Sequence, residues 1–206
     1  PLAVGVVKTL AQPGGNVTGL SAYVTELAGK RVELLKRAFP ALRRINFMQN
    51  MSNPVSPPQW EATQKAARAL GLESELLDVR SETQIVQAFA SLTLQQLEGL
   101  SVGVDALTQA YAGTIVRLAA SNRIVTAYPS REFVDGGGLL SYGPNYADLY
   151  RRSASMIDKI FKGTKPGDIP IEQPIKLEFV VNRKAAQLMA IELPHSILVV
   201  ADDVIE

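Results

Sequence analysis

The sequence predicts an α/β protein built on a parallel sheet with helices on both faces. Two observations carry this prediction, and a third permits it. Short runs of strand length alternate with amphipathic helical stretches through most of the chain. A helix separates each pair of strands, the connection a parallel pair requires. The 206 residues are 47% hydrophobic and 20% charged, the balance of a chain that can bury a substantial core.

Taken in order, Val4, Val7 and Leu10 read as the end of a helix, Pro13 to Asn16 as a turn and residues 17–21 as a short strand. Thr25 is placed to cap a helix over residues 26–39. Leu27, Leu34, Leu35 and Ala38 share its inner face, Lys30, Arg31, Glu33, Lys36 and Arg37 mostly turn away, and Pro40 stops it. Residues 44–49 alternate as a strand. Ser56, Pro57 and Gln59 then read as N-cap, first-turn proline and capping-box partner of a helix that ends at Gly71. A strand at 76–79 follows, then a helix over 81–94 with Ile85, Val86 and Phe89 inward, and a strand at 100–104. Leu107, Tyr111, Ile115, Leu118 and Ala119 mark a further helix before a strand at 124–128.

The rhythm breaks after Phe133. Gly136-Gly137-Gly138 is a joint or a tight turn, and residues 139–142 form a strand. Pro144-Asn145 introduces an amphipathic helix whose inner face is Tyr146, Leu149, Ser153, Met156, Ile157 and Ile160, and Gly163 ends it. A proline-rich crossover at 166–174, a strand at 175–181, a helix at 184–190 and a last strand at 197–200 complete the chain.

Composition narrows the chemistry. Lys and Arg number 21 against 20 Asp and Glu, too even for a protein that grips nucleic-acid phosphates. There is no cysteine and one histidine, which rules out disulfides, thiol catalysis and Cys/His zinc sites. His195 has no nucleophile context, and Asp202 and Asp203 read as surface carboxylates, so neither a catalytic nor a metal site is expected and no cofactor is implied. Gly14 to Gly19 lacks the Lys-Ser/Thr pair of a phosphate loop. Ligands of open parallel sheets sit beyond the carboxyl ends of the strands. That rule selects Ser21 and Tyr23, Asn53, Asp105, and Tyr128 with Ser130, and Tyr142 sits at the glycine-rich crossover: aromatic rings and hydroxyl or amide groups for a small polar molecule, with Asp105 meeting an ammonium. For any one of them a cap or turn former is the commoner role, and Asn53 before Pro54 is the clearest case.

Several strings resemble one family. They are Pro13-Gly14-Gly15-Asn16-Val17-Thr18-Gly19-Leu20-Ser21, Gly29-Lys30-Arg31-Val32-Glu33-Leu34-Leu35-Lys36, Asn53-Pro54, Arg131 through Asn145, Pro170-Ile171-Glu172-Gln173-Pro174, and Ala201-Asp202-Asp203-Val204-Ile205-Glu206. Together they resemble the periplasmic ABC transporter substrate-binding proteins that include tryptophan and phenylalanine binders. The resemblance implies a type I binding-protein fold, with one complete lobe and part of a second. Residues 22–138 and 170–206 would form the C-terminal lobe, and residues 1–21 and 139–169 a remnant of the N-terminal lobe. It also implies an extracytoplasmic solute-binding component of an importer, not an enzyme, that takes a small molecule, such as an aromatic amino acid, in a cleft between lobes. Its partner would be a membrane permease.

Family members carry further residues ahead of the position of Pro1, so the sequence resembles a fragment. An uncovered apolar face on the helix at 145–162 would then favour a homodimer through exposed or swapped elements. Ser21, Asn53, Asp105 and Tyr142 match cleft-facing positions of the family. Around Asp105 the chain departs from it, reading Ser101-Val102-Gly103-Val104-Asp105 where relatives place an apolar strand and Pro-Asp. A cytoplasmic effector-sensing module of a regulator is the alternative on the same fold.

Overall fold

The computed structural model describes residues 5–92 and 98–206. The chain forms two units: unit 1 comprises Pro1–Tyr23 and Pro144–Leu177, unit 2 comprises Val24–Gly143 and Glu178–Glu206. Val4 and Leu94, each placed in a helix by the sequence, lie outside the described residues.

Unit 2 is organised by a seven-stranded sheet. Its strands are β1 (Arg44–Gln49), β2 (Glu73–Asp78), β3 (Glu98–Val102), β4 (Val125–Tyr128), β5 (Leu140–Pro144), β6 (Leu177–Asn182) and β7 (Asp203–Ile205), in the spatial order β2-β1-β3-β4-β5-β6-β7. Neighbours pair in parallel from β2 through β5 and again between β6 and β7. The predicted parallel sheet needs one amendment. Asn182 N–H donates to Leu139 O (2.8 Å) and Asn145 N–H to Lys176 O (3.1 Å), so β5 and β6 run in opposite directions. The chain leaves unit 2 along β5 and returns along β6, which makes the pair antiparallel.

Helices cover both faces. On one lie α1 (Val24–Ala38) and α2 (Ser56–Ala69), on the other α3 (Glu82–Ser91) and α5 (Ala112–Ser121). Strand alternation distributes the core between them: Ile45, Ala127, Leu140 and Val181 join Val32 and Leu35 of α1, while Met48, Leu100, Val102 and Val180 join Ile85, Phe89 and Ile115. Small residues let the layers approach. A Cβ on Gly99 would come within 2.8 Å of Leu35 Cδ2, and one on Gly29 of α1 would meet Ala62 O of α2 at 3.3 Å.

Several predicted boundaries shift for identifiable reasons. Tyr23 adopts φ +50 and α1 begins at Val24, so Thr25 lies inside the first turn instead of capping it. Arg31 is fully buried, not turned away, because it shares the stripe of Leu27, Leu34 and Ala38. In α3 Ser81 caps as its position requires, accepting from Gln84 N–H (3.3 Å), but Val86 is 45% exposed. The predicted helix after Asp105 is two, α4 (Ala106–Ala110) and α5, broken at Tyr111. Gly136 to Gly138 close α6 (Arg131–Asp135) as a tight turn: Gly137 has φ +102, and a Cβ on Gly138 would lie 2.6 Å from the Tyr128 ring. After α8 (Arg183–Leu188), residues 197–200 are not a strand. Pro194 stands at the N-cap position of α9 (His195–Leu198), and the last strand is β7.

In unit 1 the predicted helix tail is absent from Gly5 to Leu10, where Lys8 N–H donates to Pro13 O (3.2 Å) across a loop. Residues 17–21 contribute a single parallel bridge, Leu20 to Glu172, instead of a strand. The glycine-rich turn has a packing role: Gly14 has φ +74, its N–H donates to Gly167 O (3.1 Å), and a Cβ on Gly167 would strike Gly15 O at 2.3 Å. Helix α7 (Tyr146–Phe161) is capped by Asn145 Oδ1, which accepts from Asp148 N–H at 2.7 Å. Leu149 and Met156 are buried; Ile157, predicted inward, is 49% exposed, and Phe161 is 85% exposed.

Two helix ends use a left-handed residue that is not glycine. Arg123 (φ +54) follows α5 and Ala190 (φ +53) follows α8, each inside the paired hydrogen bonds of a Schellman cap. Glycine holds that conformation without the Cβ clash. Ala190→Gly is therefore expected to raise the unfolding free energy by about 1 kcal/mol in urea titrations; an unchanged or lowered value would show that the cap is not strained.

Candidate functional site

In the order β2-β1-β3-β4 the connections reverse direction between β1 and β3, one leading out to β2 and the other to β4. The loops leaving these two adjacent strands therefore diverge, and a crevice opens at their carboxyl ends. Buried amides hold both loops. Gln49, the last residue of β1, donates through Nε2 to Ser56 Oγ (2.7 Å) and to Val104 O (3.1 Å). Ser56 Oγ in turn donates to Asn50 O (2.7 Å). Gln59 Oε1 accepts from Val104 N–H (3.0 Å), and its Nε2 donates to Val55 O (3.2 Å) and Val104 O (3.3 Å). Thr108 Oγ1 donates toward Gly103 O (2.9 Å) and Asp105 O (3.0 Å). No side chain fits at position 103, where a Cβ would lie 1.5 Å from Gln49 Oε1.

This wiring brings two of the sequence-predicted residues together. Asn53 Nδ2 donates to Asp105 Oδ2 at 2.7 Å, while Asp105 Oδ1 accepts from Leu107 N–H (2.8 Å) and caps α4. Asn53 Oδ1 accepts from Val55 N–H (3.2 Å), which fixes the amide so that its NH2 faces the carboxylate. Asp105 is 8% exposed and is thus a carboxylate held in one orientation, with acceptor capacity left on both oxygens. An ammonium or hydroxyl group is its natural partner.

The other predicted residues fall elsewhere. The register Tyr128 to Ser141 sets Tyr142 level with Pro129, at the same carboxyl edge but separated from β3 by β4. Tyr142 is half-buried, meets Phe179 edge-on (6.4 Å, 70°), and its carbonyl accepts from Arg31 Nη1 (3.3 Å). Ser130 follows β4 at that edge and is buried. Tyr128 is a core residue: it is 1% exposed and stacks on Phe133 at 5.0 Å, so its ring offers no face at the edge. Ser21 belongs to unit 1, where its N–H donates to Glu172 O at 2.8 Å.

Sequence reasoning missed the second layer. Ser56 and Gln59 read as a capping box, yet Val55 occupies the N-cap position and both side chains serve the buried network. The available signal was polarity on a buried stripe: Ser56, Gln59, Thr63 and Ala67 recur at helical spacing and all are buried.

The sequence profile of the family described as ABC transporter substrate binding protein matches residues 1–205. The chain belongs to this family. Among its relatives is a tyrosine-binding protein of Clostridioides difficile, 27% identical over 182 residues, a match that takes in 88% of this chain and 52% of that protein. The chain thus spans about half the length of this curated relative. A solved ABC domain in complex with L-Trp from Streptococcus pneumonia is 29% identical and superposes with a TM-score of 0.86, covering 100% of this chain and 70% of that one. A ligand-free, open substrate-binding protein with adhesive properties from Clostridium difficile is 27% identical, with a TM-score of 0.71 and coverage of 100% and 68%. The fold is accordingly that of the type I periplasmic binding proteins, and the family is one of solute-binding proteins. Among the described residues no helix is long and apolar enough to cross a membrane.

Burial pushes the Tyr128 phenol well above its ordinary value, with a weaker opposing effect from its hydrogen bond to Thr126. Below the ordinary tyrosine value near pH 10 the phenol is neutral in both states and its contribution is intact. Above that value only the unfolded chain ionises, and stability falls by up to about 1.4 kcal/mol per pH unit until the folded value is passed. Urea unfolding from about pH 9 to about pH 11 is expected to show this loss in the wild type and its absence in Tyr128→Phe; parallel curves would place the phenol in water.

Proposed function

We propose that this substrate-binding chain is the solute-recognising part of an extracytoplasmic, periplasmic component of an ABC importer, and that its solute is an aromatic amino acid delivered to a membrane permease. The observation that carries this reading is the oriented Asp105 carboxylate, braced by Asn53 at the switch point of the sheet. An α-ammonium group would donate to it, and Tyr142 would supply aromatic surface along the same edge. The L-Trp complex of the Streptococcus relative and the tyrosine-binding relative support the ligand class. In this reading the chemistry is binding without turnover.

The two functions of Asp105 can be separated. Asparagine caps helices as well as aspartate does, so Asp105→Asn keeps an acceptor for the α4 cap while removing the charge and the second oxygen that receives Asn53 Nδ2. Calorimetric titration with L-Trp, L-Tyr and L-Phe is expected to give saturable binding of at least one. Asp105→Asn should weaken it by about tenfold or more, the value of a charge-assisted hydrogen bond, without lowering the melting temperature comparably. Unchanged affinity would remove Asp105 from the site, and silence from all three amino acids would remove the ligand class.

Tyr150, Ile157 and Phe161 leave an apolar stripe exposed on α7. We propose that in this 206-residue chain the stripe is covered by a second copy. Sedimentation equilibrium at micromolar concentrations is expected to show a dimer that Phe161→Glu dissociates; a monomer throughout that range would refute it.

A further inference from the structure

The opposite, amino-terminal edge of the unit 2 sheet holds a cavity of about 530 Å³. That volume lies within the range of small-molecule sites. Its walls are apolar, built by Phe39 and Leu42 after α1, Ile124 at the foot of β4, and Ile191 after α8.

Its electrostatics lean one way. The 15-residue α1 and the 10-residue α5 both end here, so their carbonyl ends set a negative potential at the cavity. Two carboxylates, Glu98 and Glu192, line it, and Glu98 shares the Arg44 guanidinium with Glu73 and Glu75, so that one cation faces three acids. The Glu98 side chain is only 5% exposed, and it accepts long hydrogen bonds from Arg44 Nη1 (3.3 Å) and Asn46 Nδ2 (3.4 Å), which leaves acceptor capacity on both oxygens. Arg123 is the one cationic lining residue among those described, and it is exposed to solvent at the rim. Nearby Lys36 directs its ammonium to the carbonyls of Pro40 (2.8 Å) and Leu42 (2.7 Å). The left-handed cap residue Arg123 lines this cavity, and Ala190, the other, immediately precedes the lining residue Ile191.

We propose that this cavity is a second small-molecule site, separate from the Asn53–Asp105 edge, and that it takes an apolar monocation of the arylalkylammonium class. The hydrocarbon part fills the space between Phe39, Leu42, Ile124 and Ile191, and the ammonium donates to Glu192 within the field of Glu98. A carboxylate ligand would face both acids and the helix carbonyl ends, and a neutral alcohol would gain nothing from them.

The test is a set of ¹⁵N–¹H correlation titrations of the 206-residue chain with 2-phenylethylammonium, 3-phenylpropanoate and 2-phenylethanol. The ammonium is expected to saturate at about millimolar concentration, with its largest shifts at the amides of Ala41, Val125 and Ile191. The anion and the alcohol should bind about tenfold more weakly or not at all. Glu192→Gln, a change at an exposed position, should weaken the ammonium about threefold. Ala41→Trp, which plugs the cavity from its exposed rim, should abolish the response while spectral dispersion stays native. Equal responses to the three compounds, shifts centred on Asn53 and Asp105, no saturation, or full binding by either variant would overturn the proposal.

Discussion

The amide of Gln49 is the interaction on which the candidate site depends. It lies at the carboxyl end of β1, where connections diverge to opposite sides, and it ties the start of α2 to the chain leaving β3 through Ser56 and Val104. Two loops that would otherwise be free to separate are thereby held in one arrangement. The cost of burying the Gln49 NH2 group there is offset by hydrogen bonds to both loops, while its Oε1 is buried without one, and the space the amide needs comes from the missing side chain at Gly103. Asn53 and Asp105 meet because this bracket holds the segments that carry them.

The two edges of the same sheet set their carboxylates in different surroundings. At the carboxyl edge a single oriented carboxylate stands among polar groups anchored by buried amides. At the amino edge, helix carbonyl ends and paired acids surround apolar walls. Both arrangements follow from one feature of parallel α/β architecture. Strands and helices alternate in direction, so strand carboxyl ends and helix amino ends share one edge, and helix carbonyl ends share the other.

Much of the fold was legible in the sequence because it rests on local signals. Residues 44–49 were read as the strand that forms, and the helix read over 81–94 forms as α3, with Ser81 as its cap. The losses came where polar residues occupied buried positions. Arg31 was read by charge when its spacing put it inside, and Gln59 was read as a cap when it bonds 45 residues away to Val104. Tyr128 satisfied the rule for site residues by its place at a strand end, but its face of β4 turns toward α6 and Phe133. The rule locates an edge; it does not say which alternate residue points into the core.

From sequence alone came the alternation of strands and helices, most helix ends, the absence of cysteine chemistry and the resemblance to a family of binding proteins. These depend on residue types and short spacings, which act within a turn or two of chain. Only the tertiary structure decided the antiparallel step between β5 and β6, the burial of Tyr128 and the pairing of Asn53 with Asp105. Each joins residues distant in sequence or chooses between faces, and that choice is set by packing across the sheet, to which no local pattern gives access.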